Sequence, residues 1–178
     1  MLKRILFVLT PLLCLATAAL AQSQPKAPAK PCGTQPEYRQ LDFWIGEWDV
    51  EVNGKHAGNS SIQMILDKCV ILENWAGDKG MNGKSFNIYN AAKGKWMQTW
   101  VDDTGGVLEF TGEFRDGAMR FLAEVPGKDG SKTLNRMTFT PLEGGRVRQF
   151  IEASKDGGKT WTPSFNGLYI RKKAAASN

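Results

Sequence analysis

The stretch from Val107 to Ser154, VLEFTGEFRDGAMRFLAEVPGKDGSKTLNRMTFTPLEGGRVRQFIEAS, decides the fold. Leu108, Phe110, Gly112 and Phe114 alternate with Val107, Glu109, Thr111 and Glu113. Met119, Phe121, Ala123 and Val125 then alternate with Arg120 and Glu124. Met137 and Phe139 oppose Arg136, Thr138 and Thr140, and Val147, Gln149 and Ile151 oppose Arg146, Arg148 and Glu152. Successive side chains of a strand point to opposite faces, so each of these runs is a half-buried strand and not a helix. Between them stand Asp116-Gly117, Asp129-Gly130 and Gly144-Gly145, dipeptides suited to tight turns between antiparallel neighbours.

The same punctuation continues outward at Asn53-Gly54, Lys93-Gly94, Gly105-Gly106 and Gly157-Gly158. The intervals leave room only for strands, about ten of them, near 48–53, 58–67, 69–76, 84–90, 95–102, 107–114, 118–125, 132–140, 146–154 and 166–172. A flat meander of that many strands would carry two unpaired edges, and closure into a barrel removes both. Pro36–Trp44 (PEYRQLDFW) predicts a short helical turn before the first strand, with Pro at its start and Tyr38, Leu41 and Trp44 three apart. The fold class is therefore all-β, a single antiparallel barrel domain over residues 36–178.

Composition agrees. The chain has 178 residues, 42% hydrophobic and 23% charged, which excludes a disordered, collagenous or coiled-coil protein. Residues 1–21 read as a signal peptide: a basic start at Lys3 and Arg4, an apolar run from Ile5 to Leu20, and Ala19-Leu20-Ala21 before the expected cleavage at Gln22. That run is too short for a membrane span, which needs roughly 20 apolar residues, and it contains Pro11. The sequence thus predicts a periplasmic or secreted protein with no membrane span after cleavage. Residues 22–35 form a Pro-rich tether. Cleavage removes two positive charges, leaving 21 Lys and Arg against 18 Asp and Glu, scattered rather than striped. Nucleic acid is not an expected partner.

Two cysteines remain in the mature chain, Cys32 and Cys69. In an oxidising compartment an even pair forms a disulfide, and two thiols with a distant His56 do not make a zinc-ligand spacing.

Gly46-Glu47-Trp48 opens the first strand with the GxW form that begins lipocalin-like barrels, and Tyr169-Ile170-Arg171 ends the last. Trp48 is expected to close one end of the barrel with Arg171 stacked over its ring. The runs LDFWIGEWDV, SFNIYNAAKGKWMQTWVDDTGG and VRQFIEASKDGGKTWTPSFNGLYIRK resemble an uncharacterised family of exported bacterial proteins. The resemblance spans about residues 36–172. It implies a lipocalin-like (calycin) barrel and, for function, no more than ligand binding. Haem-binding barrels of this class ligate iron through a late His, and no His follows His56 here, so no haem or other cofactor is expected.

Other chemistry is sparse. Ser154–Trp161 (SKDGGKTW) matches the Asp-box of sialidase hairpins, but a single copy reads as hairpin chemistry in which Asp156 accepts backbone N–H bonds. No HExxH, His cluster or nucleophile elbow occurs, so no metal site or Ser-His-Asp triad is expected. Among carboxylates, Glu109 and Glu152 fall on the solvent face, and Asp102 and Asp103 precede a turn. Glu73, in an otherwise apolar strand two residues before Trp75, reads either as a paired or outward strand residue or as a lumen carboxylate. If Trp96, Gln98 and Trp100 face inward together, Glu73, Gln98 and Gln149 would meet the polar group of a small apolar or amphipathic ligand, with Trp96 and Trp100 as walls. The alternatives are an enzyme of the same fold using a lumen carboxylate, for which the sequence supplies no catalytic motif, and a structural or protein-binding envelope component.

Overall fold

All seven turn dipeptides lie between strands in the structure, a computed structural model that describes residues 31–173. The strands are β1 (Gly46–Val52), β2 (Lys55–Ile65), β3 (Val70–Gly77), β4 (Asn82–Asn90), β5 (Lys95–Asp102), β6 (Val107–Arg115), β7 (Ala118–Pro126), β8 (Lys132–Leu142), β9 (Arg146–Ser154) and β10 (Thr162–Arg171). Each pairs antiparallel with its neighbour in sequence, and β1 pairs with β10 through Trp48↔Arg171, Val50↔Tyr169 and Val52↔Gly167. The result is the closed ten-strand barrel that the alternation demanded.

Two turns carry none of these dipeptides, although the expected strand ends near 67 and 69 and near 76 and 84 bracket them. The chain passes between β2 and β3 through Leu66, Asp67 and Lys68, all at positive φ without being glycine. Such residues each cost on the order of 1 kcal/mol and persist only where the surroundings hold them. Cys69 follows immediately and is bonded to Cys32. Between β3 and β4 the backbone of Gly77 and Met81 closes the loop by hydrogen bonding.

The expected helical turn is a pair of 3-10 turns, Pro36–Arg39 and Asp42–Trp44. A spacing of three suits 3-10 geometry, in which residues i and i+3 eclipse, and Tyr38, Leu41 and Trp44 are all buried. These turns cap one end of the barrel. Trp48 Nε1 donates to Trp44 O at 2.8 Å, Trp96 Nε1 donates to Gln40 Oε1 at 3.0 Å, and Arg171 lies 4.4 Å from the Trp48 ring centroid. Arg171 also donates to the carbonyls of Ile45 (2.9 Å) and Phe43 (3.4 Å), which ties the last strand to the cap.

The expected leader at 1–21 and the tether through residue 30 lie outside the described residues. The remainder of the expected tether is part of the capped unit: Pro31–Gly33 form a further 3-10 turn, and the bond from Cys32 to Cys69 docks it against the β2–β3 turn. Composition placed the domain start at residue 36 because Pro-rich chain cannot dock by apolar burial, and the covalent bond supplies what burial does not. No described helix is long and apolar enough to cross a membrane.

Inside, the two halves differ. In the capped half Trp44, Trp48, Trp96, Met119, Phe139 and Val147 are almost wholly buried and fill the lumen, each large side chain stabilising by about 1.5–3 kcal/mol. An eight-strand barrel is just filled by its own side chains, and ten strands leave space. That space lies in the other half.

Candidate functional site

The uncapped half encloses a cavity of about 280 Å³. Its apolar walls come from Trp75 on β3, Trp100 on β5, Leu108 and Phe110 on β6, Ile151 on β9 and Phe165 on β10, with Met81 at the β3–β4 loop. Trp75 and Phe165 meet edge-to-face, centroids 6.5 Å apart at 90°, and form one corner. Glycines on the same strand or a neighbouring one make room for these rings. A Cβ at Gly83 would fall 2.3 Å from Trp100, one at Gly167 2.5 Å from Phe165, and one at Gly58 2.9 Å from Trp75.

At the inner end of the cavity the walls become polar. Glu73, the third residue of β3 after Val70, points inward between Ile71 and Trp75 and is 3% exposed. Ser60 Oγ on β2 donates to its Oε1 at 3.0 Å, and Ser85 Oγ on β4 donates to its Oε2 at 2.8 Å. The Tyr169 hydroxyl on β10 lies 3.4 Å from Oε1 and donates to Gln149 Oε1 at 2.7 Å. Gln149 in turn donates to the Met137 sulfur at 3.0 Å.

A second arm runs from Ser85 to β5. Asn87 Nδ2 donates to Ile71 O (3.2 Å) and to Ser85 Oγ (3.0 Å), and Gln98 Nε2 donates to Asn87 Oδ1 (2.6 Å). The Ile71 carbonyl can only accept, so it fixes which side of the Asn87 amide carries nitrogen. The direction of the whole arm follows: Gln98 to Asn87 to Ser85 to Glu73.

Burial pushes the Glu73 carboxyl up to about 7, and the hydroxyls of Ser85, Ser60 and Tyr169 only partly oppose it. Burial, and then the neighbouring Glu73 charge, raise Tyr169 well above an ordinary phenol, so it remains protonated. The one proton of Tyr169 can go to Gln149 Oε1 at 2.7 Å or to Glu73 Oε1 at 3.4 Å, and the shorter bond is the one to Gln149.

Of the five side chains expected at a ligand, Glu73, Gln98, Gln149 and Trp100 line this one cavity. Trp96 shares their inward face but sits in the capped half, bonded to Gln40, and does not reach it. Position along the strand separates it from the site, and alternation alone says nothing of depth. Alternation likewise left Ser60, Ser85, Asn87 and Tyr169 unnoticed. Small polar residues on a face otherwise apolar were the available signal, visible at Ser60-Ser61-Ile62 and Ser85-Phe86-Asn87 only once the register between strands is known.

Two further carboxylates, Asp102 and Asp156, hold turns. Asp102 accepts from the Thr104 hydroxyl, the N–H groups of Thr104 and Gly106, and Trp100 Nε1, bonds that hold its carboxyl near 2. Asp156 likewise caps the β9–β10 hairpin, accepting from Lys159 N, Thr160 N and the hydroxyls of Ser154 and Thr160. The lone Asp-box is a turn, closed by Trp161 Nε1 on Gly158 O at 3.0 Å. No group of three potential metal-ligating side chains occurs among the described residues. Comparison of the chain with models of known protein families and with curated proteins finds no match.

Proposed function

We propose that this chain is an exported lipocalin-like barrel protein that binds a small amphipathic molecule. The observation that carries the reading is the cavity of about 280 Å³, walled by Trp75, Trp100, Phe110 and Phe165 and ending on the polar cluster around Glu73. An apolar cavity with a few convergent polar groups is the usual form of a small-molecule site. At roughly 30 Å³ per molecule it would otherwise hold about nine waters, most of them against aromatic walls that offer no partners. The Cys32–Cys69 bond fits an oxidising compartment and hence the expected leader. The resemblance to exported lipocalin-like proteins fits as well.

Two measurements test this. Mature protein purified without detergent is denatured and its extract searched by mass spectrometry, and the stripped protein is titrated with small aromatic and aliphatic amphiphiles while tryptophan fluorescence is followed. Saturable quenching that weakens in Trp100→Ala supports the reading. No saturable change with any compound, together with an empty extract, refutes it.

A second reading rests on Glu73 itself. A carboxyl poised near 7 beside a cavity is suited to proton transfer, so a bound molecule with an acidic C–H could be isomerised there. Such an activity would rise with pH through about 7 and vanish in Glu73→Gln while binding persisted.

A further inference from the structure

We infer that the cavity selects a small organic cation, an ammonium group on an aromatic or short aliphatic body, seated between Glu73 and the rings of Trp75, Trp100 and Phe165. The inference deepens the binding reading and rests on it. Three independent features lead there.

The first is charge. Glu73 and Tyr169 are the titratable residues of the cavity wall, and no Lys, Arg or His joins them from β3, β5, β6, β8, β9 or β10. An ionised carboxylate taken out of water is costly unless it gains a partner of opposite sign. Within the described residues that partner is missing, and hydroxyl donors from Ser60 and Ser85 stand in its place. A cationic ligand would supply it.

The second is hydrogen-bond polarity. The Ile71 carbonyl sets Asn87, Asn87 sets Gln98, and a chain of donated bonds runs from Gln98 through Asn87 and Ser85 to Glu73. Gln98 has spent an N–H on Asn87, and no donor among the described residues meets its carbonyl oxygen. The polar end therefore offers a ligand acceptors, Gln98 Oε1 and the remaining lone pairs of Glu73, beside the second N–H of the Gln98 and Gln149 amides. An ammonium presents donors and no acceptor.

The third is the rings. Cations are attracted to the faces of Trp and Phe, and a desolvated aromatic enclosure strengthens the effect. At the mouth, Trp100 Nε1 donates to Asp102 Oδ2 at 3.1 Å, and Asp102 stays anionic at any pH near neutral. Its constant charge favours entry of a cation without adding a titration of its own.

The test uses the mature protein and three probes of one shape, 2-phenylethylamine, 2-phenylethanol and phenylacetate, in calorimetric titrations from pH 5.5 to 8.5. Aliphatic amines remain protonated throughout this range. At pH 8 the amine should bind at least tenfold more tightly than the alcohol, and phenylacetate more weakly than both. The preference for the amine should shrink as pH falls through about 7 and Glu73 takes up its proton. Glu73→Gln should remove the preference for the amine over the alcohol. Equal binding of amine and alcohol at pH 8, or an amine preference that survives in Glu73→Gln, overturns the inference and leaves the binding reading intact. Failure of all three probes to bind overturns the inference, and the binding reading falls with it where the extract is empty and the wider titration is negative as well. The comparison of probes on the unaltered protein stands even if the variant does not fold.

Discussion

Replacing Glu73 by Gln should make the protein more stable at alkaline pH and remove a pH dependence that the native protein shows. In the folded state burial raises this carboxyl to about 7, whereas in the unfolded chain it titrates near 4.5. The folded state therefore holds the proton more tightly than the unfolded one. The stabilising contribution is fully present below about 4.5 and is lost as pH rises through about 7. A difference of that size corresponds to about 3 kcal/mol, at 1.36 kcal/mol per unit. Gln keeps the shape, never ionises, and its amide can donate to the Ser60, Ser85 or Tyr169 oxygens because hydroxyl groups rotate to suit. Urea denaturation from pH 5 to 8.5 reads the effect. Native stability should fall by about 2.5 kcal/mol relative to the variant across that range, since a little of the contribution is already lost at pH 5. His56, raised chiefly by its hydrogen bond to Asp78, also loses its contribution as pH rises, but it is common to both proteins and cancels in the difference. Parallel stability curves for the two proteins would refute the reasoning, because Glu73 would then titrate alike in the folded and unfolded chain.

Three further outcomes are expected. The chain from residue 22 onward, denatured without reductant, should show no free thiol, and removing the pair by Cys32→Ser and Cys69→Ser should cost about 4 kcal/mol on the chain-entropy account of a 37-residue separation, checked by denaturant midpoint. Arg171→Ala removes the contact with the Trp48 ring and the bonds to Ile45 and Phe43, and should cost about 1–2 kcal/mol while leaving cavity ligands unaffected in a fluorescence titration. Gly83→Ala would place a methyl 2.3 Å from the Trp100 ring, so it should cost about 1–3 kcal/mol by overpacking and weaken every cavity ligand; unchanged binding would show that Trp100 does not set the wall.

Period-two alternation was enough to read the all-β class and the number of strands, and glycine-containing dipeptides marked seven of the nine turns, because strand faces and tight-turn backbone conformations are local properties of the chain. The leads to Trp48, Arg171, Glu73, Gln98 and Gln149 were local too: an odd residue against a regular pattern. The conformation of the β2–β3 turn was invisible because Leu66, Asp67 and Lys68 adopt positive φ for reasons outside their own sequence. Depth along the barrel was equally invisible. Trp96 and Trp100 stand on the same face of the same strand, yet one packs under the cap and the other walls the cavity. Which polar groups gather on Glu73 depends on the register of β2, β3, β4 and β10, set by pairings such as Glu73↔Ser85 and Ile62↔Glu73. A slip of one residue would turn each of those side chains to the other face. Sequence alone determined which residues could face inward. Only closure of the barrel decided which of them meet, because β1 and β10 lie more than a hundred residues apart in the chain and become neighbours through the pairing of Trp48 with Arg171.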